Sequence, residues 1–210
     1  MELNKRLEKR NRMIQAAKTL FAKYGFEKTT MQKIADKSCV GVATLFRYFP
    51  NKEELIVEVV KEVIEQQIPY FEQVMKSNKK GIEKIDDVLT GYIQYITDEN
   101  IDSTKLLEAF ELYIAFNYVE HDLIEEIVKA YGKFQQIINN IVKEGKMDGS
   151  IQLSLNTELI VSTILNMFGT SIKKYSLYNF LPDRLIPLPS KEELFQVKDI
   201  LIVYLQQPIK

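Results

Sequence analysis

Residues Thr29 to Lys52, TTMQKIADKSCVGVATLFRYFPNK, leave room for little besides two short helices joined by a tight turn. Apolar side chains fall at Met31, Ile34, Ala35, Val40, Leu45 and Phe49. That spacing lets one helix cross another steeply around a small core. Thr29 and Gln32 have the T-x-x-Q spacing of a capping box, which starts the first helix at Thr29, and Asp36 to Cys39 supplies the turn. The second helix then runs from Gly41 to Tyr48. Asn51 reads as the N-cap of a further helix whose first turn carries Glu53 and Glu54. The stretch is a helix-turn-helix.

Charge separates this part of the chain from the rest. Residues 1–52 hold 12 Lys or Arg against 4 Asp or Glu, a net +8, whereas the remainder holds 16 against 25, a net −9. Such segregation suits a small domain that sits on phosphates and a larger one that does not. The same asymmetry also fits a basic N-terminus that meets an anionic membrane surface or an acidic partner, although that alternative leaves the helix-turn-helix spacing unexplained. A length of 210 residues with 46% hydrophobic content supplies a real core in one or two domains. No apolar run is long enough to span a bilayer, and MELNKRLEKRNR lacks the apolar segment of a signal peptide, so the expected location is the cytoplasm.

Helical periodicity continues throughout. A first helix over 3–24 places Ile14, Ala17, Leu20, Phe21 and Tyr24 on one stripe and stops at Gly25. A long helix from 52 to 77 is kinked or interrupted at Pro69, which lacks an N–H. Further helices are expected over 82–97, 103–117, 121–144, 156–177 and 190–205, with a glycine-punctuated break at 143–150 and a proline-rich loop from Leu181 to Pro189. Nothing reads as a strand. The expected fold class is all-α, with a three-helix N-terminal domain over 1–66 and a larger helical domain over 67–210.

The N-terminal stretch resembles the DNA-binding domain of TetR-family transcriptional repressors. Ala43 to Glu53 lies over the family pattern G-T-L-Y-x-Y-F-x-x-K-E, Phe21 to Phe26 is similar to its F-x-x-x-G-[FY] link, and Thr29 to Ala35 to its T-x-x-x-I-A helix. The resemblance covers residues 6–66. It departs at the turn, where the family carries Gly and this chain carries Cys39; a left-handed Cys39 would store a small strain.

Taken with helix geometry, the resemblance makes 41–48 the recognition helix. Gly41, Val42, Ala43 and Thr44 then face the major groove, and Arg47 is the candidate for bidentate guanine recognition or a phosphate clamp. By resemblance Gln32 reaches a base, while Thr30, Tyr48 and Lys52 hold phosphates. The implied partners are double-stranded operator DNA, a second copy of the chain and a small-molecule effector. Dimerisation is expected through the last two helices, at Leu159, Thr163, Asn166, Gly169, Thr170, Leu194, Val197 and Leu201. The implied effector cavity draws its wall from Tyr92, Tyr95, Phe110, Tyr113, Phe116 and Asn117, with His121 at the rim. Its aromatic lining favours a largely apolar or aromatic effector over a multiply charged anion, with Lys105, Lys129 or Lys173 available to a single carboxylate.

Enzyme chemistry finds little here. His121 is the only histidine and Cys39 the only cysteine, which excludes a His-x-x-x-His metal site, an intramolecular disulfide and a multi-cysteine zinc site. No glycine-rich phosphate loop occurs, and the carboxylates around Glu108 to Glu126 have the spacing of a solvated helix surface. The expectation is a regulator with no metal and no cofactor.

Overall fold

Helix caps and glycines set the boundaries of the elements. The computed structural model describes residues 2–97, 100–171, 175 and 190–206. Helix α1 (Glu2–Lys28) leaves helical geometry at Gly25, where φ is 76° and ψ 169°, before a last turn to Lys28. A glycine tolerates that conformation without a Cβ clash. Thr29 is fully buried after this turn, and its hydroxyl donates to the Gly25 carbonyl at 2.8 Å. Helix α2 (Met31–Lys37) is therefore capped one residue later than the capping-box pattern implies: the Thr30 hydroxyl accepts from the Lys33 N–H at 3.3 Å. Helix α3 (Val42–Tyr48) follows the turn, and Asn51 caps α4 (Lys52–Glu65) by accepting from the Glu54 N–H at 2.7 Å.

The expected helix to residue 77 is two helices. Helix α5 (Ile68–Met75) starts afresh with Pro69 in its first turn, where no intrahelical partner for an N–H exists. Helices α6 (Gly81–Thr97), α7 (Ile101–Phe116) and α8 (His121–Met147) come next. Gly145 does not end α8. It lies against Gly81 so closely that a Cβ on Gly81 would stand 2.2 Å from the Gly145 Cα, and the chain turns instead at Gly149, where φ is 78°. Helix α9 (Thr157–Thr163) runs into a π-helical turn, Ile164–Phe168. The end of the expected 156–177 helix, Lys173 and the loop from Leu181 to Pro189 lie outside the described residues. Helix α10 (Lys191–Leu205) opens with the expected capping box between Ser190 and Glu193. Among the described residues the only β pairing is an isolated bridge from Ile151 to Gln206.

Two compact units result, one of residues 1–66 with 105–130 and the other of 67–104 with 131–210. The sequence-based division at 66 thus differs from the packing units by one segment, 105–130. In the first unit Met13, Phe21, Leu45, Phe49 and Leu55 share a core with Leu106, Leu107, Phe110 and Ile127. Phe26 meets Phe21 and Tyr113 edge to face, with ring centroids 5.0 and 5.7 Å apart, and Lys61 pairs with Glu126 at 2.5 Å. The second unit packs Phe71, Phe134, Tyr92 and Phe168 between α5, α6, α8 and the π turn. Its α10 is tied to α6 by Lys198 and Asp86 at 2.5 Å. Among the described residues no helix is long and apolar enough to cross a membrane.

Candidate nucleic-acid interface

Burial divides α3 into two faces. Leu45 and the following Phe49 are sealed in the core, while Val42 and Tyr48 pack on its edge. Ala43, Phe46 and Arg47, spaced i, i+3 and i+4, point outward. Phe46 is 44% exposed, a large apolar ring left partly at the surface. Reading from the sequence alone missed it, although the same spacing from Ala43 marks it. Gly41 is exposed at the N-cap with φ −68° and ψ 142° and no side-chain cap, and Thr44 is half-buried. The Arg47 guanidinium donates to the Thr44 hydroxyl at 3.1 Å, which holds its fork over the exposed face.

The flanking candidates take polar positions around this helix. Thr30 is exposed at the start of α2, and exposed Gln32 donates through its Nε2 to Asp36 at 2.7 Å. Tyr48 is half-buried, with the Arg6 guanidinium 5.9 Å over its ring, and Lys52 is the first residue of α4. Cys39 sits in the α2–α3 turn with φ 56°, the left-handed conformation anticipated there, and is exposed. The backbone N–H of Cys39 donates to Asp36 and that of Val40 to Ala35, which locks the turn.

The expected effector wall is divided between the units. Tyr92 and Tyr95 belong to the second: Tyr92 meets Phe71, Phe134 and Phe168, and the Tyr95 hydroxyl is buried beside Ser103. Burial raises the Tyr95 pKa. Phe110 is instead buried in the first unit's core. Tyr113 donates its hydroxyl to Glu53 at 3.0 Å, and burial, aided by that carboxylate, pushes its pKa up to about 12. Phe116 is 84% exposed, Asn117 is exposed with its Nδ2 bonded to the Tyr113 carbonyl, and His121 stands in solvent 3.4 Å from Glu125. Leu106, Leu107 and Phe110 turn the apolar face of α7 to the first unit's core.

The candidate dimer residues are also sorted by burial. Leu159, Asn166 and Thr170 are exposed, and Thr163, Gly169 and Val197 half-buried. Leu194 and Leu201 are core residues of the second unit and leave the surface set. Met167 on the π turn and Ile200 and Tyr204 on α10, which fall on the apolar stripes of the sequence, are exposed, as is Val203. Among the described residues no group of three His, Cys, Asp or Glu is placed to hold a metal ion.

The family described as bacterial regulatory proteins, tetR family, matches residues 13–59, from the middle of α1 to the middle of α4. The chain is 29% identical over 159 residues to the fatty acid metabolism regulator protein of Bacillus subtilis, covering 75% of this chain and 77% of that protein. It is 23% identical over 167 residues to the HTH-type transcriptional repressor KstR2 of Mycolicibacterium smegmatis, covering 80% and 79%. Its fold is similar to that of the transcriptional regulator FadR from Bacillus subtilis solved in complex with stearoyl-CoA, with a TM-score of 0.71 at 19% identity over 93% of this chain and 98% of that one. Residues 13–59 thus carry the DNA-binding segment of the tetR family of bacterial regulatory proteins, and over most of its length the chain is similar to relatives named as transcriptional regulators.

Proposed function

We propose that this protein is a repressor that binds a two-fold symmetric operator as a homodimer and is released from it by a largely apolar effector. The exposed face of α3 carries the DNA half of the reading: Ala43, Phe46 and Arg47 stand clear of the core on a short helix preceded by an open N-terminus. Ala43 and Phe46 suit thymine methyls, and Arg47 suits the O6 and N7 of guanine. Gln32 stands ready for a base and Thr30, Tyr48 and Lys52 for phosphates, with Gly41, Val42 and Thr44 setting the approach of the backbone. A membrane-surface or partner-binding role leaves this face without a task.

Dimerisation is assigned to α9, the π turn that continues it and α10, where Leu159, Met167, Ile200, Val203 and Tyr204 are exposed apolar side chains and Asn166 and Thr170 are exposed polar ones. Two such heads related by a dyad read half-sites in successive major grooves. The effector site is assigned to the second unit at Tyr92 and Tyr95, beside the ring cluster of Phe71, Phe134 and Phe168. FadR was solved with stearoyl-CoA and KstR2 from Mycobacterium tuberculosis is named a ketosteroid regulator, so both names involve a bulky apolar body. An aromatic wall with a few hydroxyls suits the same class here. The ligand weakens operator binding only through unequal affinity for the two states, a coupling of about 1 to 3 kcal/mol.

Selection of duplexes from a random pool tests the DNA half. A two-fold symmetric consensus is expected, and Arg47→Ala should lose about 1 to 3 kcal/mol on it and relax one position of each half-site. An asymmetric consensus, or unchanged affinity and preference in the variant, would remove the dyad or Arg47 from the reading.

A further inference from the structure

The structure sorts the cations of α1 into two sets. Arg6 and Arg10 are engaged within the first unit, Arg6 over the Tyr48 ring and Arg10 both over Phe49 at 5.2 Å and against Glu58 at 2.7 Å. Lys5, Lys9 and Arg12 have no such engagement. They follow one another at i, i+4 and i+7 and therefore share one face of the helix. No ion pair or hydrogen bond ties them to another described residue. That face forms one side of an open groove of about 1020 Å³, whose other side is the α2–α3 turn with Lys37. Among the described residues Glu8 is the one carboxylate in the lining.

We infer that this groove is a second phosphate track, which holds the backbone of duplex DNA beyond the base pairs that α3 reads. This rests on the reading of the first unit as a DNA-binding head. Three features select a duplex over a small anion. The cations are spread along the helix rather than converging on one point. Lys5, Arg12 and Lys37 are exposed, so none is a desolvated donor of the kind that grips a lone phosphate. The run from Lys5 to Arg12 spans about 10 Å at 1.5 Å per residue, a length that covers about three phosphates of one strand at 3.4 Å of axis each. The turn that completes the groove also carries the chain into α3, which places the track next to the recognition helix.

The test compares the full-length protein with a triple variant, Lys5→Gln, Lys9→Gln and Arg12→Gln, on a thirty-base-pair duplex of random sequence. The logarithm of the binding constant is followed against that of the NaCl concentration. The variant should lower the slope by about 2.7 per bound head, since each neutralised phosphate contributes about 0.9. Hydroxyl-radical protection on a selected operator should shorten at its outer edges, with the consensus unchanged. Lys76→Gln, Lys79→Gln and Lys143→Gln together remove the same charge from the second unit and should leave the slope alone. Circular dichroism and thermal unfolding verify that both variants are folded. An unchanged slope in the α1 variant overturns the inference, as does an equal loss in the control. Loss of binding to vesicles rich in phosphatidylserine with an unchanged DNA slope would assign the groove to lipid and overturn it too. If the wild-type chain itself shows no salt-dependent binding to duplex, the DNA-binding reading fails first and takes this inference with it.

Discussion

At Cys39 the backbone turns through φ 56°, and a β-carbon in that conformation crowds the following carbonyl. The crowding costs about 1 to 2 kcal/mol, of which glycine's greater freedom in the unfolded chain would return about half. Cys39→Gly should therefore raise the denaturation free energy by about 0.5 to 1 kcal/mol, and a lower midpoint in urea would contradict the strain. Tyr113 offers a second check. Its folded pKa is pushed up to about 12, while an unfolded tyrosine titrates near 10. Below pH 10 both states keep the proton and the contribution is whole; between about 10 and 12 the unfolded chain releases it first, so stability falls as pH rises. Tyr113→Phe should cost about 1 kcal/mol at pH 8 through the lost bond to Glu53, and the gap should narrow by pH 11 in urea titrations. An equal gap at both values would show that Tyr113 does not titrate against Glu53. Single residues also show where reading by pattern stops. Thr29 and Thr30 both satisfy a helix-start motif, and only the carbonyl left free at Gly25 decides which hydroxyl caps and which is buried.

Elements were legible where local chemistry alone sets them. Asn51 and Ser190 cap as their spacing implies, and Pro69 starts a helix because an N–H is dispensable in a first turn. Faces were less legible than helices. Leu194 and Leu201 belong to a genuine apolar stripe of α10, but periodicity does not say whether a stripe meets its own core or another chain; the opposite face, with Ile200 and Val203, is the bare one. Phe46 escaped for the converse reason, since an aromatic residue beside Leu45 reads as core until the burial of each is known. Glycine in a helix is ambiguous in the same way, and the crossing of α6 and α8 resolves it. Gly81→Ala would drive a Cβ to 2.2 Å from backbone that has no room to yield, with an expected loss of about 3 kcal/mol. Gly132, inside α8, has nothing within 4 Å of such an atom, so Gly132→Ala should gain up to about 1 kcal/mol of helix propensity. Thermal unfolding of the pair checks both, and equal shifts would mean that α6 and α8 do not cross at these glycines.

For the whole molecule, the bare surface of α9 and α10 carries the expectation of a dimer. Val203 is 71% exposed, so Val203→Glu should leave helicity and melting nearly unchanged while converting a dimer into a monomer by sedimentation velocity at micromolar concentration. A wild-type monomer, or a variant that stays dimeric, would place the dyad elsewhere. The helix-turn-helix and the all-helical class could be read from the chain because both rest on contacts between near neighbours. The unit that each face of α6 and α7 packs into could not: spacings of three give each helix a face, but long-range packing decides which core that face joins. That same packing has a consequence in time. The first unit needs Leu106, Leu107, Phe110 and Ile127 to complete its core, so it is not a contiguous piece of chain. A ribosome adding about 5 to 20 residues per second delivers residue 130 roughly 3 to 13 seconds after residue 66. Through that interval the nascent head exposes the apolar floor on which α7 and α8 will close, and for those seconds chaperones have a surface to hold that the finished protein no longer displays.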